Sequence, residues 1–292
     1  MTSASLPDEI LHEILSYSLS VPHDEFLRFH DDTSAGWLEQ PIHRHAELLL
    51  VSKRWLRVGT PLLYRYLRLS TPAHTAAVAN LFRAHPEIGR AVRGLRLEGG
   101  LGKDLALVAQ HLPNLHSLAL SLRMKSTVSV AGLKKALPLF SPVHFYLAHG
   151  YRRENKKVIE VRKLLFDYIK NKWTSLQSVD LADCFAFGMD GELANALAGS
   201  SMKEINCFGT DLMSWLPRWA RIILKAPNLQ RVICRGKYKE KFIRDSLSEH
   251  GNSSEKFCFV SHFMDEILAG LNKRTAESEM FSDFDDEEEA EL

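Results

Sequence analysis

Four cysteines in 292 residues, spaced 23, 27 and 24 positions apart, are too few and too scattered for a disulfide scaffold or a C-x-x-C metal site. No apolar run approaches the ~18–20 residues that a membrane span requires. The start, Met1 to Ile10, lacks the basic segment and apolar stretch of a secretory signal. Together these absences predict reduced thiols, a cytoplasmic or nuclear location and no membrane partner. Catalytic signatures are also missing. There is no G-x-S-x-G, H-E-x-x-H or G-x-G-x-x-G. Gly102-Lys103 fails as a P-loop because Leu97 stands where Gly is needed and Asp104 where Ser or Thr is needed, so residues 97–104 read as a strand-to-helix turn. His43 and His45 lack two further ligands, and Asn252-Ser-Ser254 without a secretory signal is inert as a glycosylation acceptor. We therefore expect no metal, no cofactor and no enzyme active site.

Basic residues are absent from Ala276 to Leu292, which hold nine of the 36 acids. The remainder carries 37 basic against 27 acidic groups, a net of +10. Residues 273–292 cannot bury enough apolar surface to offset their ordering entropy and read as a disordered tail, with Ser282 before the acids as a kinase site. The overall pI of 7.8 falls short of the range above ~9 typical of nucleic-acid-binding domains. The helix from Arg152 to Lys172 has eight basic residues against three acids, which a solvated polar face explains. Phosphate contact there is the alternative, but no aromatic platform is interleaved, so nucleic acid is not the expected partner.

Near the amino end, Pro7 suits a first helical turn, Asp8 and Glu9 complement its dipole, and apolar residues recur at Ile10, Leu11, Ile14, Leu15 and Leu19. A second apolar stretch, Leu48 to Val51, stops at Ser52. That serine is a good N-cap for a third helix through Trp55, Leu56 and Val58, ending near Gly59 and Pro61. Leu6-Pro7-x-Glu9-Ile10-x-x-x-Ile14, then Leu48 to Ser52 with Trp55, then Pro61-Leu-Leu-Tyr64, resembles the F-box of many fungal F-box proteins across residues 6–69. It departs from that pattern where Val21 to Glu47 intervenes between the first two helices. The resemblance implies a three-helix F-box that docks a Skp-type adaptor and, through it, a cullin–RING ubiquitin ligase. The contacts it implies are Leu6, Pro7, Ile10, Ile14, Leu15, Leu49, Val51 and Trp55. Ile14 and Trp55 fit an internal core equally well.

Behind this module, apolar residues at i, i+3 and i+5 recur. The copies are Tyr64/Leu67/Leu69, Val92/Leu95/Leu97, Leu115/Leu118/Leu120, Pro142/Phe145/Leu147, Leu176/Val179/Leu181, Met202/Ile205/Cys207, Leu229/Val232/Cys234 and, more poorly, Ser254/Phe257/Phe259. The steps are 28, 23, 27, 34, 26, 27 and 25 residues. A period in the 20s, with Leu176 to Cys184 matching nine motif positions, resembles a leucine-rich repeat of the irregular kind found behind fungal F-boxes. Apolar stripes between the copies, such as Leu105/Val108/Ala109/Leu112 and Val158/Val161/Leu165, read as helices. Cys207 and Cys234 then serve as small core hydrophobes.

The expected fold class is thus α/β: an N-terminal three-helix F-box (1–69, insertion 21–47), a short irregular leucine-rich-repeat solenoid with parallel strands (70–272) and an acidic tail. Alternation along the strands puts Arg96, Glu98, Ser117, Tyr146, Asp180, Glu204, Asn206, Phe208, Arg231, Ile233 and Arg235 on the concave face. Tyr146, Phe208 and Ile233, ringed by charge, suit a protein target, unless a loop or the tail covers them. The expected function is substrate recognition for a Skp–cullin–F-box ligase. A non-catalytic repeat scaffold, its first helices only a cap, is the alternative.

Overall fold

A computed structural model describes residues 6–23, 26, 45–99, 102–122, 124, 126–148, 155–182, 189–208, 219–235 and 255–260. The acidic tail and Cys184, His43, Arg152, Ser282 and Asn252 lie outside those residues. The eight apolar triads end in eight strands, β1 (Tyr66–Leu69), β2 (Gly94–Leu97), β3 (Ser117–Ser121), β4 (His144–Ala148), β5 (Ser178–Ala182), β6 (Glu204–Phe208), β7 (Arg231–Arg235) and β8 (Phe257–Val260). They form one parallel sheet in chain order. Register explains the triads. Leu67, Leu95, Leu118, Phe145, Val179, Ile205, Val232 and Phe257 share one cross-strand row, and the residues two further on share the next.

A parallel pair needs a crossover, and helices supply it. α1 (Asp8–Leu19) and α2 (Lys53–Leu63) precede the sheet; α3 (Pro72–Ala84) and α4 (Pro86–Ala91) join β1 to β2. α5 (Leu105–Gln110), α6 (Ala131–Ala136), α7 (Lys156–Asp167) and α8 (Met189–Ala198) make the next four crossovers, and residues 219–223 are helical before β7. β2 ends at Leu97 and α5 starts at Leu105, as expected of a strand-to-helix turn. The helices pack on one sheet face. Phe82, Leu105, Leu133, Val161, Leu193 and Ile223 from the crossovers meet the strand leucines in a continuous core. Fully burying each such side chain is worth ~1.5–3 kcal/mol. Cys207 and Cys234 sit fully buried in this core, in the packing role read for them.

Three local features differ from the sequence reading. Residues 46–50 form a single 3-10 turn rather than a full helix. α2 passes Gly59 and Pro61 to Leu63, and a Cβ at Gly59 would collide with the Leu49 side chain and crowd Leu19, so the glycine gives the 3-10 turn and α1 room to approach. α3 and α4 have no counterpart among the apolar stripes. The buried row of α3 is Thr75, Ala79 and Phe82, with only one large apolar side chain, and the helix is started by Thr71, which accepts from the His74 amide at 3.2 Å. Among the described residues no helix is long and apolar enough to cross a membrane.

Candidate functional site

α1 carries two apolar stripes on different faces. Leu11, Leu15 and Leu19, four residues apart, are buried against Leu49 and Leu62, with Trp55 and Val58 packed at the margin. On the other face Ile10, Ile14 and Tyr17, with Leu6 just before the helix, are exposed, Ile14 at 49% and Tyr17 at 83%. The same module exposes Leu50, Val51 and Leu56. Among the described residues, Leu139 is the sole exposed large hydrophobic outside this module.

The module is tied together by charge. Ser52 caps α2 by accepting from the Trp55 amide, as read from sequence. Asp8 accepts from Arg54 Nε at 2.6 Å and from Arg57 Nη2 at 2.5 Å, joining the start of α1 to α2. Those two hydrogen bonds hold the Asp8 carboxyl below its ordinary pKa. Arg54 also donates to the Leu6 carbonyl. This clamp fixes the axial position of α1 against α2, and with it the outward residues Ile10 and Ile14.

Of the adaptor contacts implied by the resemblance, Leu6, Pro7, Ile10, Ile14 and Val51 are exposed and Trp55 is half-buried. Leu15 and Leu49 are corrections. Both belong to the module's own core, because the 3.6-residue period turns Leu15 a full 100° from Ile14. Tyr17, Leu50 and Leu56 are also exposed, although the resemblance did not imply them as contacts. Tyr17 falls three residues past Ile14 on the same helix face, and that spacing is the signal that would have found it.

The sheet face away from the helices is divided. Over β1 to β4, Val21 and Phe26 pack on Ala119, Tyr146 and Ala148, with Tyr66 alongside. The Phe26 ring lies 4.9 Å from that of Tyr66. Arg96 Nη1 donates to the Phe26 carbonyl at 2.8 Å, while its other nitrogens meet Glu98, which Arg68 also holds. Burial, partly offset by Glu98, lowers the Arg96 pKa below its ordinary value. Arg96, Tyr146 and Ser117, expected on an open face, are therefore buried, and a segment of the 21–47 insertion does the covering.

Over β5 to β7 the face is polar. Asn206 Nδ2 donates to Asp180 at 2.6 Å and to Glu204 at 3.2 Å. Arg231 Nε donates to Glu204 at 2.9 Å, which raises the arginine's pKa. Asn206 and Ile233 are nonetheless buried, Asp180 is half-buried and Arg231 is exposed. Phe208 and Arg235 are register partners on β6 and β7, their side chains outside the described set. Among the described residues no group of three or more His, Cys, Asp or Glu is placed to hold a metal ion.

No protein-family model matches the chain, and no curated protein matches it either.

Proposed function

We propose that the chain is the substrate-recognition subunit of a Skp–cullin–F-box ubiquitin ligase. On this reading residues 1–69 are an F-box carrying an insertion at 21–47, residues 70–272 are an irregular leucine-rich-repeat arc, and 273–292 are an acidic tail. The observation that carries it is the outward stripe of α1, Ile10, Ile14 and Tyr17, with Leu6 just before the helix, in a module that also exposes Leu50, Val51 and Leu56. Concentrated apolar exposure marks an interaction surface. Leu6, Pro7, Ile10, Ile14, Val51 and Trp55 hold the adaptor, joined by Tyr17, Leu50 and Leu56. Because Val21 and Phe26 cover β1 to β4, the target binds the later strands, around Asp180, Asn206, Arg231 and Ile233, with Phe208 and Arg235 beside them. The subunit does no bond chemistry. It raises the local concentration of target lysines near a loaded conjugating enzyme.

Calorimetry of the full chain with a purified Skp-type adaptor tests this. Ile10→Glu with Ile14→Glu weakens binding by about 100-fold, near 1.4 kcal/mol per position, while the melting temperature stays close to wild type. Absence of binding by the wild-type chain sinks the reading. The second reading, a non-catalytic repeat scaffold capped by these helices, draws on the inward packing of Leu15, Leu49 and part of Trp55. It predicts that Pro7 and Trp55 substitutions change stability alone.

A further inference from the structure

The entrances of the first four strands surround a cavity of about 350 Å3 whose lining includes His23, Arg65, Tyr66, Arg93, His116 and His144. The parallel register builds it. Arg65, Arg93 and His116 each stand one residue before their strand, and the backbone ladder continues through them: the Arg93 amide donates to the Arg65 carbonyl, and the His116 amide to the Arg93 carbonyl, both at 2.8 Å. Three basic side chains are thus stacked at the ~4.8 Å strand spacing. His144, opening β4, adds a fourth, its ring 4.8 Å from His116 and 6.2 Å from His23. Gly94 stands between them. A Cβ there would come within 2.5 Å of the Tyr66 ring, so the missing side chain gives that ring its place. Arg65 lies 6.0 Å over the same ring.

Among the described residues no carboxylate lines the cavity. Five of its lining groups are cationic or become so on protonation, and they come from five segments, so this is a convergence rather than a run of sequence charge. We propose that this recess binds a phosphate group, free or as a monoester. Guanidinium forks match phosphate oxygens two at a time, and a dianion offers three acceptor oxygens to several donors at once, which a carboxylate does not. Tyr66 and His23, 5.8 Å apart, supply ring surface for an attached organic part.

Linkage follows from the imidazoles. Burial, then the neighbouring His116 and His23, push the His144 pKa below its ordinary value, and Glu204 acts weakly the other way. That carboxylate is two strands away and is engaged by Arg231 and Asn206. Ser178 Oγ bonds His144 Nδ1, and among the described residues Arg65 and Arg93 are the remaining charges lining the site. A bound dianion reverses the balance and favours protonated rings, so at pH 7.5, above the second ionisation of a phosphate monoester at about 6, the imidazoles take up protons on binding.

This inference is independent of the adaptor reading. The test is calorimetry of the full chain with inorganic phosphate, phenyl phosphate and acetate, at pH 6 and 7.5, in buffers of different ionisation enthalpy. Phosphate binding, at least tenfold weaker in Arg65→Gln/Arg93→Gln, with proton uptake reduced in His144→Gln, is the result expected. Tighter binding of phenyl phosphate assigns the site to a monoester, and equal binding assigns it to free phosphate. Equal affinity for acetate overturns the proposal, as does equal phosphate binding by wild type and a double variant whose circular dichroism is unchanged.

Discussion

α1 and the first four strands are both apolar on two sides, yet only the strands have both sides covered. One stripe of α1 meets α2 and the 3-10 turn, and the other meets water. In the strands one face meets the crossover helices, while Val21 and Phe26 lie on the other. The same local pattern therefore has two outcomes, decided by whether a segment of chain reaches the second face. An exposed stripe on α1 asks for a partner, and a covered sheet face has already found one within the chain.

Four measurements break or sharpen this contrast. Phe26→Ala has the largest expected effect, a loss of about 3–5 kcal/mol in urea unfolding, because it empties a fully buried site beneath the sheet cover. Little loss would mean that residues 21–26 merely rest on the sheet. Leu15→Ala follows at about 2–5 kcal/mol, since Leu15 sits in the module's core. Its neighbour separates the two stripes. Ile14→Ala costs about 0.5 kcal/mol or less by the same assay, although the adaptor reading gives it the larger effect on binding. Equal costs for Leu15 and Ile14 would erase the distinction between inward and outward stripes.

The smallest effects are in pH. The folded pKa of His144 lies below its ordinary value of 6.5, so the unfolded chain takes up the proton first. Its contribution is intact above pH ~6.5 and falls as the pH drops below that, levelling off once the folded ring also protonates. Asp8 is likewise depressed below its ordinary 3.8, so its contribution is present above that value and lost as the pH falls through the lower folded one. Urea midpoints across pH 3 to 8 for His144→Gln and Asp8→Asn should lose these two windows separately. A single shared window would mean that the module and the sheet titrate as one unit.

Much of the architecture was legible because the apolar triads recur. A residue two positions along a strand returns to the same face, so Leu67/Leu69 and Cys207/Cys234 announced core positions without any knowledge of their neighbours. α3 was not legible. Its packing rests on small residues such as Ala79, which carry almost no periodic signal. On α1 the mixture of Ile10, Leu11, Ile14 and Leu15 read as one stripe, although a 100° turn per residue splits it into two. Arg96 and Tyr146 read as open because strand alternation says which face a side chain takes and nothing about what lies above it.

Local chemistry written along the chain thus determined the number of strands, the two core cysteines and the Ser52 cap, since each depends on spacing within a few residues. Contacts between distant segments decided the rest. The clamp of Asp8 by Arg54 and Arg57, the seat of Phe26 under Arg96, and the gathering of Arg65, Arg93 and three histidines at the strand entrances join residues dozens of positions apart. Such pairings follow from register and packing once the sheet has formed, and no linear pattern encodes them.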